Sequence, residues 1–434
     1  MRSTALRVAR RLTVVLGLLL TASLLAAPAH AAKPSSPKRF GGYAFDTCVA
    51  PSNDVMDAWN VASPYTVVGI YTSGNSRYCD ESKQPYLSPA WVQRQASRGW
   101  LFLPIHVGYQ APCFDSKSKK ERMAYDRGKA RAQARADADE AVRAAARYGF
   151  AKKNAVYLDI EWYDRANRRC NASVLSFIDA FVQRVHQRGY KVGLYSSASA
   201  AIQAVDEVRH AGSKTFDFPD QMWFAWTNKK ANTNGRPYLQ NTFWKRDRLH
   251  QYHNNVEVSY RGRKVLIDKN VLTVGGGSKA KKEQKVCGIK PTLNRYRTLK
   301  AGSRGGDVKL LQCLLKRAGH GATVTGRWNA RTTKAVNSYR ASLGWSQTST
   351  ASRSMWTALL SRGKTPIALK RGKVGEPVHR LQRSLRAAGQ RVDVTGIYDA
   401  RTTVAVRTYR KTVGLPTYQT ADQAVWDALQ RGRR

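Results

Sequence analysis

The stretch Val156-Tyr-Leu-Asp-Ile-Glu-Trp-Tyr163 has the pattern of a buried strand that ends in acids. Side chains alternate between the two faces of a strand, so Asp159 and Glu161 point to one side and Ile160 to the other. Their backbones lie about 6.5–7 Å apart, close enough for the carboxyl groups to share a pocket. Two like charges are costly together unless one group keeps its proton, and an acid beside a carboxylate is the pair that cleaves glycosidic bonds. The alternative is a strand end whose acids face water.

Around this stretch, short β-rich runs alternate with helical runs. The predicted strands are 43–48, 66–71, 100–107, 155–162, 191–196, 222–227, 249–252 and 264–268. The predicted helices lie near 53–61, 89–98, 119–148, 171–188 and 198–210. Strands that alternate with helices favour a parallel sheet, and eight strands over this length predict an α/β, TIM-like barrel. Because little helix separates the last three strands, we expect the barrel to be irregular.

Four acids fall at predicted strand ends. Asp46 ends the first strand, Asp159 and Glu161 the fourth, and Asp268 the last. Such barrels build their active sites at the carboxyl ends of the strands. Four matching positions are far less expected by chance than any one of them, so the pattern favours a carbohydrate-active site.

Other side chains near these ends are candidates for sugar contacts: Trp162, Tyr163, Trp226, Gln251, Tyr252 and His106. An aromatic floor at the ends of the sixth and seventh strands would stack on sugar rings. Trp162 and Tyr163 either line a cleft or cover the barrel mouth. A lone histidine such as His106 is more often structural than a proton shuttle. No Cys-x-x-Cys or Cys/His cluster has zinc spacing, so we expect neither a metal nor a cofactor.

Residues 1–31 have the pattern of an export signal, with four arginines, an apolar core over 12–27 and a cleavage site at Ala29-His-Ala31. Arg10-Arg11 is a weak match to a twin-arginine signal, so either export route stays open. No later segment has the ~20 apolar residues of a membrane span. The sequence therefore predicts a secreted protein.

Six cysteines fit export, since an even number in a secreted chain favours disulfides. Cys287 and Cys313 both fall in the C-terminal half, and we expect them to pair with each other. The remaining four, Cys48, Cys79, Cys113 and Cys170, then pair within the N-terminal domain, in an order that the sequence does not specify.

The formal charge of +45 should draw the chain to polyanions. Nucleic acid, anionic lipid and the phosphate-rich polymers of a bacterial wall all qualify. Export makes an intracellular nucleic-acid role improbable, and no nucleic-acid-binding motif is recognisable. We expect a monomer whose partners are wall components.

A glycine- and lysine-rich linker, 275–295, follows the predicted barrel domain, 32–274. After it the sequence repeats with a constant offset of 70 residues over 296–363 and 364–434. The matched pairs include Leu311-Gln312 with Leu381-Gln382, Val324-Thr-Gly326 with Val394-Thr-Gly396, and Trp356 with Trp426. Helical periodicity predicts two small all-α units of three helices each, with these leucines and tryptophans in their cores. Asp307 is the only acid between Arg297 and Gly363, so the first repeat is strongly cationic.

Both repeats resemble the three-helix peptidoglycan-binding domain found at the ends of many wall hydrolases. The shared features are an opening Leu-x-x-Gly, Leu-Gln on the first helix, a Gly-x-aromatic turn, Thr-x-x-Ala-Val and a closing Trp-x-x-Leu. The resemblance implies that the repeats bind peptidoglycan and associate with the cell wall.

The barrel segment, about 40–272, resembles the glycoside hydrolase family 25 lysozymes in the order Asp-x-Cys48, Leu-Asp-Ile-Glu161, Gln-Tyr252 and Ile-Asp-x-Asn-Val-Leu272. Phe45-Asp-Thr-Cys-Val-Ala-Pro51, Val68-Gly-Ile-Tyr71 and Leu101-Phe-Leu-Pro-Ile105 are more closely similar to a family of secreted bacterial glycoside-hydrolase-like barrels of unassigned activity. The lysozyme resemblance implies that Glu161 is the general acid. Asp159 is then its electrostatic partner or the group that positions a substrate amide, and Asp46 and Asp268 complete an acidic ring.

Two hypotheses follow. The first is a lysozyme-like hydrolase of the peptidoglycan glycosidic bond, anchored by its C-terminal repeats. The second is a non-catalytic wall protein whose barrel holds glycan without cleaving it. A third reading, a cationic protein that associates with lipid or extracellular DNA, is disfavoured by the motifs above.

Overall fold

A computed structural model of the chain describes residues 32–114, 120–240 and 242–434. The predicted signal peptide, 1–31, with its Arg10-Arg11 pair and cleavage site, lies outside these residues. Residues 32–434 form a single compact unit. Among the described residues, no helix combines the length and the apolar character that a bilayer crossing demands.

The eight predicted strands close into a barrel in sequence order, which confirms the predicted fold class. The strands are β1 (Phe40–Asp46), β2 (Tyr65–Ser73), β3 (Leu101–His106), β4 (Ala155–Asp159), β5 (Lys191–Ser197), β6 (Gln221–Ala225), β7 (Arg248–Tyr260) and β8 (Arg263–Val274). Strands β1 to β7 are parallel, whereas β8 is antiparallel to both β7 and β1. The predicted irregularity therefore lies in the closing strand.

Strands β7 and β8 are much longer than predicted and form a hairpin. Tyr260 pairs with Arg263, so the loop is Arg261-Gly262 alone. Both loop residues have positive φ, 52° and 76°, as a two-residue turn of the I′ type requires. The described residues between β6 and β7 form turns and bends rather than a helix.

In the part of the chain that the structure describes, five α-helices surround the barrel, and the first four of them begin at side-chain caps. The five are α1 (Asn53–Ala62), α2 (Pro89–Ser97), α3 (Arg127–Arg147), α4 (Arg168–Gln187) and α5 (Gln203–His210). The side chains of Ser52, Ser88, Asp126 and Asn167 each accept a bond from a backbone N–H in the first turn of α1 to α4. The cap at Asp126 explains why α3 begins at Arg127, later than the predicted start at 119.

Two apolar layers hold the barrel together. The inner layer fills its interior with side chains such as Val67, Leu103, Tyr157, Trp223 and Leu249. The outer layer packs alternate strand residues under the helices. A Cβ at Gly193 would lie 2.2 Å from the ring of Tyr157, so glycine there makes room for a large interior side chain.

The repeated segment folds into two sets of three helices. The first set is α6 (Gly306–Arg317), α7 (Ala330–Ser342) and α8 (Arg353–Ser361); the second is α9 (Glu376–Ala387), α10 (Ala400–Thr412) and α11 (Gln423–Gln430). Two-residue strands, β9 (Ala368–Leu369) and β10 (Ala421–Asp422), pair in the second set. As predicted, Leu311, Leu381, Trp356 and Trp426 are fully buried.

A buried glutamine explains the repeated Leu-Gln and Thr-Gly motifs. Gln312 Nε2 donates to Thr325 Oγ1, Arg327 O and Thr332 Oγ1, while its Oε1 accepts from the N–H groups of Thr325 and Gly326. Gln382 donates to the equivalent atoms 70 positions later and accepts from Gly396 N. The glutamine thus joins the first helix of each repeat to the turn before its second helix.

The segment predicted as a linker, 275–295, packs against the repeats. Cys287 forms a disulfide with Cys313 on α6, as predicted. Glu283 pairs with Arg383 on α9 at 3.0 Å, and the side chains are only 8% and 5% exposed. This part of the chain is therefore fixed at both its disulfide and its ion pair.

The second repeat contacts the barrel where β1 to β3 begin. Lys370 Nζ donates to Asn60 O at 3.0 Å and lies 4.3 Å above the Trp100 ring, and Lys373 Nζ donates to Gly99 O at 2.8 Å. Burial lowers the pKa of Lys373 to about 8. The opposite end of the barrel, where the parallel strands finish, stays open.

Candidate active site at the barrel mouth

Strand β4 delivers two carboxyl groups to the open end. Asp159 is the last residue of β4 and is 4% exposed, whereas the Glu161 side chain is 40% exposed. Ile160 is buried in the outer layer, as the alternation predicted. Gln110 holds the turn, since its Nε2 donates to Asp159 O at 3.0 Å and its Oε1 accepts from Glu161 N at 2.8 Å. The result is a buried acid beneath a solvent-facing one.

Strands β1 and β8 deliver the other two acids. Asp46 and Asp268 are register partners at the same level of the barrel. Asn270 Nδ2 donates to Asp46 Oδ1 at 2.6 Å, and Gln251 Nε2 donates to Asp268 Oδ2 at 3.1 Å. A Cβ at Gly69 would lie 2.6 Å from the Asp46 Cβ, so β2 needs glycine there to admit the acid.

Asp268 reaches the mouth for a reason that the sequence analysis did not give. We placed it at the carboxyl end of a parallel strand, but β8 is antiparallel and continues six residues beyond it, to Val274. The N-terminal half of an antiparallel strand lies at the same end of a barrel as the C-terminal ends of its parallel neighbours. The predicted location is correct and the predicted strand direction is wrong.

Burial and mutual repulsion favour protonation of these acids. The pKa of Asp46 is raised to about 8, first by burial and then by the charge of Asp268, against hydrogen bonds from Asn270, Gln251 and Tyr71. The pKa of Asp159 is raised well above its ordinary value by burial and then by the charge of Glu161. Burial also raises the pKa of Asp268. The raised pKa of Asp46 therefore favours its protonated form near neutral pH.

Lys120 was not foreseen at the site. Its Nζ lies 3.0 Å from Glu161 Oε1, and its charge opposes the rise in the pKa of Asp159. Lys120 belongs to the connection between β3 and α3, and its distance in sequence from β4 gave no signal of this contact. The structure thus adds an ammonium group to the predicted acidic ring.

The polar partners of the acids were also missed. Asn270 lies two residues after Asp268 on the same strand face, which is a signal that the alternation offered. Tyr71 Oη donates to Asp46 Oδ2 at 3.4 Å, and Tyr195 Oη donates to Gln251 Oε1 at 3.0 Å. These hydroxyl and amide groups fix the carboxyl groups in place.

Four of the six predicted sugar-binding residues, Trp162, Gln251, Trp226 and Tyr252, lie after or near the ends of the parallel strands. Trp162 is 53% exposed beside Glu161, and Gln251 is buried among the acids. Trp226 is partly exposed after β6, with its ring 5.5 Å from that of Tyr238. Tyr252 is partly exposed, with its ring 6.1 Å from that of His250.

Tyr163 and His106 do not face the mouth, so neither remains a candidate for a sugar contact. For His106 this agrees with the structural role that a lone histidine more often has. Tyr163 is 1% exposed in the outer layer, and its hydroxyl donates to Asn171 Oδ1 at 2.7 Å. His106 is equally buried, with its Nε2 3.3 Å from Asp137 on α3. Strand β4 ends at Asp159, three residues before the predicted end at 162, and the chain beyond it turns Tyr163 into the outer layer.

His106, Asp137 and Glu140 bring three potential metal-ligand atoms within 4.8 Å of one another. Both carboxyl groups and His106 Nδ1 already have backbone or hydroxyl partners, whereas His106 Nε2 has only Asp137 Oδ2 at 3.3 Å. Asp137 accepts from Tyr109 N at 3.0 Å, Glu140 accepts from Gly74 N at 2.9 Å, and His106 Nδ1 lies 2.9 Å from Ser73 Oγ. The cluster fixes the strand ends to α3, on the outer side of the barrel.

A cavity of about 400 Å³ opens beside Asp46 and Asp268. Its lining also includes Tyr71, Cys48 and residues 265–267 of the β7–β8 hairpin. Cys48 is joined to Cys79, and Cys113 to Cys170, so all six cysteines pair as the domain division predicted. Three disulfides are typical of proteins exported to an oxidising compartment.

Carboxyl groups gathered at one mouth of an α/β barrel are the groups that glycoside hydrolysis uses. Residues 57–272 match the family model of the Rv2525c-like, glycoside hydrolase-like domain. The match covers the barrel from α1 to β8 and includes Asp159, Glu161 and Asp268.

Three proteins are among the solved structures that are similar to this chain. An uncharacterized protein of B. stearothermophilus is 18% identical with a TM-score of 0.35, and the match covers 54% of this chain and 96% of that chain. A family 25 glycosyl hydrolase from Bacillus anthracis is 16% identical with a TM-score of 0.33, over 55% and 92%. A glucosidase from Croceicoccus marinus is 13% identical with a TM-score of 0.27, over 46% of each chain. Comparison with curated proteins gave no match.

Proposed function

We propose that the protein is a secreted hydrolase that cleaves the glycosidic bond of peptidoglycan and is held on the cell wall by its C-terminal repeats. The observation that carries the proposal is the position of Glu161. Its carboxyl group faces solvent above the buried Asp159, at the mouth where Asp46 and Asp268 also lie. A solvent-facing carboxyl group beside a second carboxyl group is the minimum that acid-assisted glycoside hydrolysis requires.

Glu161 is the proposed general acid because its side chain is 40% exposed to an incoming sugar, whereas Asp46 and Asp159 are buried. In its protonated form it would transfer its proton to the leaving glycosidic oxygen as the bond to the anomeric carbon breaks. Water then adds to the anomeric carbon and returns a proton to the Glu161 carboxylate. Asp159 would help to position the substrate, since a protonated carboxyl group can donate a hydrogen bond to an amide oxygen.

The substrate class follows from the whole chain. Two peptidoglycan-binding-like repeats would concentrate the barrel on the wall, so each repeat needs only modest affinity. Trp162, 53% exposed beside Glu161, offers a ring face on which a sugar can stack. Stacking on an aromatic ring needs no charge on the sugar, so it suits a neutral glycan backbone.

Clearing of a peptidoglycan suspension tests the proposal. We expect the wild-type protein to lower the turbidity of purified peptidoglycan and Glu161→Gln to lose this activity. Glu257→Gln is a matched control, because Glu257 also pairs with a lysine at 3.0 Å but is exposed on the β7–β8 hairpin. Equal clearing by wild type and Glu161→Gln would remove Glu161 from the mechanism.

The Lys120–Glu161 ion pair favours a second candidate, a barrel that binds glycan without cleaving it. The ammonium group of Lys120 lies 3.0 Å from Glu161 Oε1, so the proposed acid is engaged in an ion pair instead of being free to meet a glycosidic oxygen. Such a protein would be retained on purified wall material and would release no reducing ends. A Lys120→Met variant that also releases none would favour this candidate.

A further inference from the structure

The two repeats enclose a cleft of about 800 Å³ that is separate from the barrel mouth. Six arginines line it: Arg295, Arg297, Arg353, Arg386, Arg391 and Arg401. Asp393 is the single carboxylate among the described residues of the lining. A concave surface with this excess of one charge is costly to maintain, and an anionic ligand would relieve the repulsion.

Two of the arginines are already engaged. Arg401 pairs with Asp393 at 2.6 Å. Arg353, at the start of α8, donates to the carbonyl groups of Ala387 and Arg386 at 3.2 Å each and so fixes the first repeat against the end of α9. The cleft is therefore built by a defined contact between the repeats.

The other four arginines, Arg295, Arg297, Arg386 and Arg391, form no ion pair within the described parts of the chain. Arg295, Arg297 and Arg391 are exposed and Arg386 is partly so. A guanidinium group can donate two parallel hydrogen bonds to one phosphate, so these groups are arranged to receive an anion with several phosphates.

The shape indicates a chain-like ligand. A second cavity of about 530 Å³ adjoins the cleft and shares Asn294, Arg295 and Arg297 with it. Tyr296 is the aromatic residue of the cleft lining, and it is buried, 3% exposed. Proteins that bind single-stranded nucleic acid usually stack bases on exposed aromatic rings, and the described lining offers none.

We infer that this cleft binds a phosphate-linked anionic polymer of the cell envelope. The inference rests on the proposed location at the wall but not on hydrolysis by the barrel. Binding would give the chain a second attachment to the wall besides glycan recognition by the repeats.

Titration of the full-length protein with poly(glycerol phosphate) at about 0.15 M salt tests the inference. We expect Arg295→Gln/Arg391→Gln to weaken binding at least tenfold. Arg317→Gln/Arg407→Gln removes the same charge from one exposed helix position in each repeat, outside the cleft, and should weaken binding less than threefold. Equal losses in the two double variants would overturn the inference, because attraction to the overall charge would then explain binding.

A single-stranded DNA of matched phosphate number distinguishes the polymer classes. We expect it to bind more weakly than poly(glycerol phosphate). Tighter DNA binding that the cleft variant abolishes would overturn the inference in favour of a nucleic-acid site. Clearing of peptidoglycan stripped of phosphate polymers reports on the barrel alone. Its failure in the wild type would sink the proposed hydrolase while leaving the cleft result intact.

Discussion

Asp46 and Asp268 face each other across the seam where β1 meets β8, although these strands run in opposite directions. The antiparallel closing strand brings an acid from the end of the barrel sequence beside one from its beginning. Burial and the charge of Asp268 then raise the pKa of Asp46 to about 8. This relationship makes the stability of the barrel depend on pH.

The first prediction concerns Asp46→Asn. The native state holds a proton on Asp46 that the unfolded chain, with a pKa near 3.8, releases. This proton stabilises the folded barrel fully below the pKa of Asp46 in the unfolded chain, and the stabilisation is lost as pH rises through about 8. Asparagine cannot ionise, so the Tm of the variant should exceed that of the wild type by a few degrees at pH 9 and by much less at pH 5.

Asp139→Asn is the control for this experiment. Hydrogen bonds from Arg184 and Arg188 lower the pKa of Asp139 to about 2, so its contribution is fully present above pH 4 and is lost only as pH falls through the folded value. The control should therefore show a constant deficit in Tm between pH 5 and 9. Parallel Tm curves for Asp46→Asn and wild type would contradict the assignment of a raised pKa to Asp46.

The second prediction concerns Lys120→Met. Lys120 carries the charge that opposes the rise in the pKa of Asp159, so its removal should let Asp159 keep its proton to a higher pH. The alkaline limb of the pH–rate profile for peptidoglycan hydrolysis should therefore move to higher pH. Lys264→Met removes the matching lysine from the exposed Glu257 pair and should leave the profile unchanged. An unmoved limb in Lys120→Met would mean that the protonation of Asp159 does not set it.

The third prediction concerns the segment before the repeats. Glu283→Ala removes one of the two carboxylates that pair with the buried Arg383 and leaves Glu376, so we expect the loss of one charged hydrogen bond, about 1.5–3 kcal/mol. The urea midpoint for unfolding of the repeats should fall accordingly. Glu257→Ala breaks an exposed pair and should cost under about 1 kcal/mol. Equal effects would show that 275–295 behaves as an open linker.

The fourth prediction concerns the repeated glutamine. Gln382→Ala leaves the N–H of Gly396 and the hydroxyl of Thr402 without their buried partner and opens a cavity, at a cost of about 2–4 kcal/mol. Thermal unfolding should shift down in proportion. Gln423→Ala, at an exposed position on α11, is the control and should change stability little. A silent Gln382→Ala would contradict the structural role of the motif.

The sequence specified the strands because their apolar alternation reflects burial on two faces of a barrel wall. The sequence did not specify where the strands end, and the incorrect predictions concern residues at those ends. Tyr163 was assigned to the mouth because the fourth strand was predicted to run to 162, whereas β4 stops at Asp159. Asp268 was placed at the correct end of the barrel, although the predicted direction of its strand was wrong. The hairpin turn at Arg261-Gly262 makes β8 run antiparallel to β7.

Contacts between distant parts of the chain could not be predicted. Lys120 approaches Glu161 from a connection whose course depends on the packing of α3 and the Cys113–Cys170 disulfide. The arginines of the cleft come from both repeats and from the residues before them, so their proximity needs the packing of α8 on α9. A sequence repeat of constant offset predicts the fold of each repeat. It does not predict how the two repeats pack against each other.

The most direct test of the central claim is the number of new reducing ends released from purified peptidoglycan by wild type and Glu161→Gln at equal enzyme concentration. If the exposed Glu161 protonates the leaving oxygen, wild type releases reducing ends steadily and the variant falls at least a hundredfold. Release by the variant at the wild-type rate, or no release by a folded wild type that still binds the wall, would contradict the account.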